Sequence, residues 1–171
     1  MLIFVFKPGD EPGAAKTAGT TKPLPALTDV AAPRHGADLA TPCAKLIEAL
    51  PRTLAGLAPR AVYPKPDSPF VVAWGDPAIV LRCGVDRPAG LTAGASELLT
   101  GVNGVFYWAD HGDKTTTFTV VDRDPYIEIV VPEQYSGGPL SPISDAINKT
   151  LPAVCKVDPA APTNELCTRR H

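Results

Sequence analysis

Residues 115–131 read TTTFTVVDRDPYIEIVV. The β-branched and aromatic residues on either side of DRDP predict two strands, Thr115–Val121 and Tyr126–Val131, joined by a tight turn. In the second strand Ile127 and Ile129 alternate with more polar positions, so one face of the strand points toward a core. The stretch therefore predicts an antiparallel hairpin whose other face is open to solvent or to a partner.

Two more strands are predicted upstream of this hairpin. The first, Ala78–Val85, follows the turn sequence GDP, and the second, Val102–Ala109, is followed by the turn-prone sequence DHGD. Both are rich in Val, Ile, Phe and Tyr, the residue types that favour strands. The order of the four segments predicts an antiparallel meander.

Two amphipathic helices flank the predicted strands. The first begins with Thr41 as a capping hydroxyl and Pro42 at the first helical position, and Pro51 interrupts it. The second begins in the same way at Ser141 and Pro142. Apolar residues at helical spacing form one face of each helix: Leu46, Ile47, Leu50, Leu54 and Leu57 in the first, and Ile143, Ala146, Ile147 and Leu151 in the second.

The resulting prediction is an α+β fold, a four-stranded antiparallel sheet with two helices packed on one face, stabilised by disulfides. The chain has 171 residues with 44% hydrophobic content, enough for one ordinary core. Its formal net charge is −2, so it lacks the basic character that nucleic-acid binding needs. We therefore expect one domain, a monomer, and no nucleic-acid partner.

The composition changes along the chain and divides it into four parts. Residues 1–6 are apolar and are either a buried first strand or the remnant of a signal or anchor segment, which is our preferred interpretation. Residues 7–40 are rich in Pro, Ala and Thr and are predicted to be a disordered tether. The α+β domain is predicted at residues 41–155, and residues 156–171 are predicted to be a C-terminal tail.

The four cysteines are an even number, and none lies in a Cys-x-x-Cys pair. In an exported chain this indicates disulfides, with three possible pairings. We favour Cys43–Cys83, which would join the first helix to the first strand, and this leaves Cys155–Cys167. The alternative is a zinc site of Cys155, Cys167 and His171, but the spacing differs from that of structural zinc sites. We therefore predict no metal.

A candidate binding surface is formed by Trp74, Asp76, Arg82, Tyr107 and Trp108, because aromatic and arginine side chains often anchor partners. On this hypothesis they line the open face of the sheet. The alternative is structural: Trp74 packs in or beside the core, and Asp76 fixes the turn before the first strand.

His111 is the one histidine inside the predicted domain, and Asp110 and Asp113 lie beside it. Together with Asp76 or Glu128 they could form a metal or acid–base site. A solvated hairpin loop explains the same residues without chemistry. No Gly-x-Ser-x-Gly elbow, phosphate-binding loop or haem-attachment motif is present, so we predict no catalytic residue and no cofactor.

Two motifs resemble those of a known family. WGDP at residues 74–77, running into VLRCGV at residues 80–85, and VNGV at residues 102–105 are similar to an uncharacterised family of actinobacterial exported proteins. Cys43 also fits that family, and the resemblance covers roughly Thr41 to Leu151. It implies a membrane or lipoprotein-type anchor, an extracytoplasmic location and a core disulfide between Cys43 and Cys83. It implies no activity.

The sequence thus predicts a noncatalytic extracytoplasmic protein of the cell envelope, secreted or anchored to the membrane, that acts as a binding or interaction module. Its expected partner is an envelope protein or a cell-wall component, and the membrane is contacted only through an N-terminal anchor. The alternative is a small envelope hydrolase or metal-dependent enzyme that uses acidic residues near His111.

Overall fold

The hairpin at residues 115–131 lies within a larger antiparallel sheet. The computed structural model describes residues 23–34, 37–91 and 99–154. Its elements, in chain order, are α1 (Ala37–Ala49), β1 (Pro59–Arg60), β2 (Val71–Trp74), β3 (Ile79–Val85), β4 (Leu99–Val102), β5 (Val105–His111), β6 (Thr115–Val120), β7 (Tyr126–Pro132), a 3-10 turn (Glu133–Tyr135) and α2 (Leu140–Thr150).

The sheet has seven strands among the described residues, so the predicted four-stranded sheet is wrong. One cause is the stretch 102–109, predicted as a single strand, which begins with the hairpin turn between β4 and β5. Asn103 and Gly104 at that turn have φ angles of 47° and 78°. Two successive positive φ angles are typical of a type I′ turn. The other cause is β1 and β2, short strands that the sequence analysis does not predict.

The strand order is β1-β2-β3-β7-β6-β5-β4, and all neighbours are antiparallel. Strands β4 to β7 form a meander, but β3 pairs with β7 and not with β5 as the predicted order requires. Residues 86–98 separate β3 from β4, and this connection is too long for a hairpin loop. The central pairing of the sheet is therefore non-local.

Both helices pack on one face of the sheet. The register places Cys83, Ile127, Val120 and Tyr107 opposite one another on four adjacent strands, so their side chains share a face. Cys83 is bonded to α1, and Tyr107 contacts Ser144 of α2. The core lies between the two layers, where burial of each large aliphatic side chain stabilises the fold by about 1.5–3 kcal/mol.

Each helix begins earlier than predicted. α1 begins at Ala37, so Pro42 lies inside the helix and not at its first position. α2 begins at Leu140, so Pro142 lies in the first turn, where its missing N–H breaks no helical hydrogen bond. Neither Thr41 nor Ser141 is the capping residue.

The apolar stripe of α1 continues beyond the end of the helix. α1 ends at Ala49, because the residue before Pro51 is disfavoured in a helical conformation. Leu54 is still fully buried, in a tight turn that it closes with Leu57 through backbone hydrogen bonds of 3.1 and 2.8 Å. The leucine spacing therefore predicts burial correctly while it overstates the length of the helix.

The disulfide between Cys43 and Cys83 is present, with a Cα–Cα distance of 5.6 Å, and the favoured pairing is confirmed. Both cysteines are fully buried. Gly84 follows at a bulge with φ of 92°, and a Cβ there would lie 3.1 Å from Leu39 Cδ1. A glycine is thus needed where α1 approaches β3. Cys155 and Cys167 lie outside the described residues.

The described part of the predicted tether is paired with the domain. Leu27 exchanges backbone hydrogen bonds with Ala61 and Tyr63 at 2.9 and 2.8 Å, and Arg34 N donates to Gly84 O at 3.0 Å. Residues 23–34 therefore run beside the sheet, and the boundary predicted at residue 41 falls within α1. Residues 1–6 and 156–171 lie outside the described ranges. In the part of the chain that the structure describes, no helix has the length and apolar character of a membrane span.

Candidate functional site

Trp74 and Asp76 of the WGDP sequence hold the turn between β2 and β3. The Trp74 indole is buried on the helix side, and its Nε1 donates to the carbonyl oxygens of Pro51 and Arg52, both at 3.2 Å. Asp76 Oδ1 accepts a hydrogen bond from Arg60 Nη1 at 2.9 Å. The contacts of both residues stay within the domain and anchor this turn.

Tyr107 is fully buried on the same side of the sheet. Its hydroxyl lies 2.7 Å from Ser144 Oγ, and Ser144 Oγ in turn donates to Leu140 O at 2.9 Å. Burial, which disfavours the phenolate, raises the pKa of Tyr107 to about 12. Tyr107 therefore joins β5 to α2 and is covered from solvent.

The raised pKa of Tyr107 predicts a loss of stability at alkaline pH. Between pH 10 and pH 12 the unfolded chain releases the phenolic proton while the folded chain retains it. The ionisation of Tyr107 in the unfolded chain should therefore lower the free energy of unfolding by up to about 1.4 kcal/mol for each pH unit in this range. Urea unfolding at pH 9, 10 and 11 measures the effect.

The Tyr107→Phe variant should show a flatter pH dependence over this range than the wild type. Tyr63→Phe is the matched control, because Tyr63 is 61% exposed and its loss should leave the slope unchanged. Equal slopes for Tyr107→Phe and the wild type would contradict the prediction.

Arg82 and Trp108 lie on the opposite face of the sheet from Trp74 and Tyr107. The register places Val71, Arg82, Glu128, Thr119 and Trp108 in one row across five strands. Arg82 is not free: its Nη2 lies 2.5 Å from Glu128 Oε1, and its Nη1 donates to the carbonyl of residue 31 at 3.2 Å. Its side chain is 23% exposed.

The face of the sheet that carries Arg82 and Trp108 is partly covered by other segments of the protein. Residues 23–34 lie beside Arg82, and Gly90 packs against Trp108, because a Cβ at Gly90 would lie 2.6 Å from Trp108 Cζ2. The indole Nε1 of Trp108 is buried and has no hydrogen-bond partner among the described residues. The five residues of the candidate surface are thus distributed between two faces and a turn, and the structure does not bring them together.

The carboxylates suggested for chemistry at His111 do not meet there. Asp110 alternates with His111 along β5 and pairs with Thr117, so it points to the other face. Asp76 is paired with Arg60, and Glu128 with Arg82. Over the described ranges, no three side chains of His, Cys, Asp or Glu are grouped as metal ligands.

His111 instead lines a cleft of about 470 Å³, here named the His111 cleft. It lies at the end of the sheet, between the β5–β6 hairpin and the connection from β7 to α2. Its buried lining residues are Phe118, Val131 and Pro132, and the more exposed ones are His111, Gly112, Thr115, Thr116, Glu133, Ser136 and Gly137. The cleft therefore has an apolar base and a polar rim.

Backbone hydrogen bonds fix both walls of the His111 cleft. Gly112 N donates to Thr115 O at 2.9 Å and closes the hairpin, and Glu133 N donates to Lys114 O at 2.9 Å and joins the two walls. Ser136 has φ of 51° and ψ of −154°, a conformation that is costly for a residue with a side chain. Such strained residues occur frequently at ligand sites.

Several polar groups of the His111 cleft are unpaired. His111 Nδ1 lies 3.2 Å from Thr116 Oγ1, which leaves Nε2 available. Within the described residues, the side chains of Thr115, Glu133 and Ser136 make no hydrogen bond or ion pair. This contrasts with the second sheet face, where Arg82 and Glu128 are already paired with each other.

Sequence reasoning selected His111 and missed the other wall of the cleft. Glu133 and Ser136 lie more than 20 residues away along the chain, after β7. The Gly137-Gly138-Pro139 sequence predicts a break before a helix and gives no sign of a ligand site. The pairing of β6 with β7, together with the hydrogen bond from Glu133 N to Lys114 O, brings the two walls together.

A second polar cluster, centred on Arg123, is buried and structural. Arg123 Nη1 lies 2.6 Å from Asp122 Oδ2, and its Nη2 donates to Asn148 Oδ1 at 2.6 Å. Asn148 in turn donates to Asn103 O, and Asn103 Nδ2 donates to Asp145 Oδ1 at 2.9 Å. The cluster ties the β4–β5 turn and the β6–β7 link to α2.

Comparison with known proteins gives a family without an assigned activity. A family model described as "Protein of unknown function (DUF3515)" matches residues 13–155. No curated protein and no solved structure matches the chain significantly. The comparisons therefore supply no substrate or partner, and the geometry of the cleft is the basis for inferring one.

Proposed function

Since the chain belongs to the DUF3515 family, whose description names no activity, we propose that it is a noncatalytic extracytoplasmic module that binds a component of the cell envelope in the His111 cleft. The observation that carries the proposal is the concentration, in a concave site with an apolar base, of polar side chains that have no partner among the described residues. Such a combination is typical of ligand sites, whose usual volumes are about 300–1,000 Å³.

The residues of the WGDP, VLRCGV and VNGV motifs stabilise the fold and do not line the His111 cleft. Gly75, Gly84 and Gly104 have positive φ angles at turns or a bulge, and Asn103 binds Ser141 and Asp145 of α2. The glycines allow the backbone conformations that these turns and the bulge need, and Asn103 joins the β4–β5 turn to α2. The resemblance to exported actinobacterial proteins thus supports the compartment, whereas the ligand site is proposed from the cleft.

The buried disulfide supports the proposed location. Cys43 and Cys83 form a disulfide. Disulfides persist in oxidising compartments outside the cytoplasm and are rare within the cytoplasm. A biotin reagent that cannot cross membranes should label the lysines of this chain on intact cells. Labelling that requires cell lysis would contradict the extracytoplasmic location.

Binding in the cleft is tested by nuclear magnetic resonance of the full chain labelled with ¹⁵N. Addition of a detergent-solubilised envelope fraction should shift the amide signals of Gly112 and Gly137, which line the cleft. Gly56, at a turn far along the chain, serves as the internal reference. Shifts that are absent, or that are confined to residues outside the cleft, would contradict the proposal.

A matched pair of variants separates cleft binding from a general charge effect. Glu133→Gln removes one negative charge in the cleft, and Glu48→Gln removes one from an exposed position on α1. We expect Glu133→Gln to reduce the shifts at Gly112 and Gly137, and Glu48→Gln to leave them unchanged.

A further inference from the structure

We infer that the ligand of the His111 cleft is a neutral saccharide. This inference rests on the proposed function and names the chemical class of its ligand. It depends on three properties of the cleft: its charge, its apolar base and the kind of hydrogen-bonding groups on its rim.

The charge of the cleft disfavours an anionic ligand. Glu133 is the one carboxylate among the described lining residues, and these residues include no Lys or Arg. A phosphate or carboxylate ligand would face Glu133 without a Lys or Arg among these residues to pair with it. The lining therefore favours a ligand without an anionic group.

The base of the cleft suits a ligand with an apolar face. Phe118, Val131 and Pro132 are buried lining residues and present carbon atoms to the cleft. A pyranose ring has one face rich in C–H groups, which can cover such a surface, while its hydroxyl groups project from the ring edge. A ligand that is polar throughout would leave this base without a partner.

The rim of the cleft suits several hydroxyl groups. A ligand hydroxyl both donates and accepts hydrogen bonds. The carboxylate of Glu133 accepts hydrogen bonds, and the hydroxyls of Thr115 and Ser136 both donate and accept them. His111 contacts Thr116 through Nδ1, so its Nε2 remains available to a ligand. A sugar edge with neighbouring hydroxyls can use all of these groups together.

The test is titration of the ¹⁵N-labelled full chain with glucose, galactose, mannose and N-acetylglucosamine, and with a trisaccharide of each. At least one should give saturable shifts at Gly112 and Gly137 but not at Gly56. Glu133→Gln should weaken that binding about tenfold, because a hydrogen bond to a charged group is lost. Glu48→Gln should bind as the wild type does.

The outcomes distinguish this inference from the proposed function. Cleft shifts with the envelope fraction but with none of the saccharides would overturn the saccharide assignment and leave the binding function standing. Saturable cleft shifts with inorganic phosphate in place of a saccharide would also overturn it. No cleft shift with either the saccharides or the envelope fraction would overturn both.

Discussion

Replacement of Cys43 and Cys83 by alanine should lower the free energy of unfolding by about 4 kcal/mol. The bond closes a loop whose ends are 40 residues apart, and its removal restores the conformational entropy of that loop to the unfolded chain. For a domain of this size the melting temperature should fall by on the order of 10 °C. Urea unfolding followed by circular dichroism measures the change.

The single variants provide the control for this prediction. Cys43→Ala and Cys83→Ala each lose the same cross-link, so each should be about as unstable as the double variant. Reduction of the wild-type chain should produce a similar loss. A double variant within about 1 kcal/mol of the wild type would show that α1 and β3 are held together chiefly by packing.

The central hairpin could be predicted because its determinants are local. A proline-containing link separates two runs of β-branched residues, and Ile127 and Ile129 alternate with more exposed positions. The second hairpin had an equally local signal, since Asn103-Gly104 between two valines favours a type I′ turn. The β-branched and aromatic residues that follow this turn extend the strand pattern across it, so residues 102–109 resemble one continuous strand.

The order of the strands could not be derived from local patterns. β3 pairs with β7, although 40 residues separate them, and β1 is only two residues long. Such pairings depend on how the whole sheet packs against the helices. The Cys43–Cys83 pairing could be predicted because, of the three possible pairings, it joins the predicted first helix to the predicted first strand, and the family resemblance implies the same bond.

The candidate site was harder to predict because sequence does not show which charges are already paired. Arg82 looks available in the sequence, yet it binds Glu128 from a distant strand. Trp74 and Tyr107 look like surface anchors, yet both contribute to the core between sheet and helices. His111 is in the candidate cleft, but the residues opposite it come from the segment after β7, which the hairpin pattern does not locate.

The Arg123→Met substitution should lower the free energy of unfolding by about 3–5 kcal/mol. The side chains of Arg123 and Asp122 are only 3% and 5% exposed, so the substitution removes the guanidinium that faces a buried carboxylate. It also removes the donors to the carbonyl of Leu151 and to Asn148. Urea unfolding at neutral pH measures the effect, with Arg52→Met, at an exposed position after α1, as the matched control.

The double variant Asp122→Asn with Arg123→Met tests the physical reason for that loss. An asparagine at position 122 can still accept the 3.2 Å hydrogen bond from Phe106 N, but it carries no charge. If the loss of the buried charge pair dominates, the double variant should be about 1–3 kcal/mol more stable than Arg123→Met alone. Equal stabilities would instead assign the loss to the hydrogen bonds with Leu151 and Asn148. In that case the hydrogen bonds from the Arg123 guanidinium to Leu151 and Asn148 would account for most of its stabilising effect, and the charge of Asp122 would contribute little to the fold.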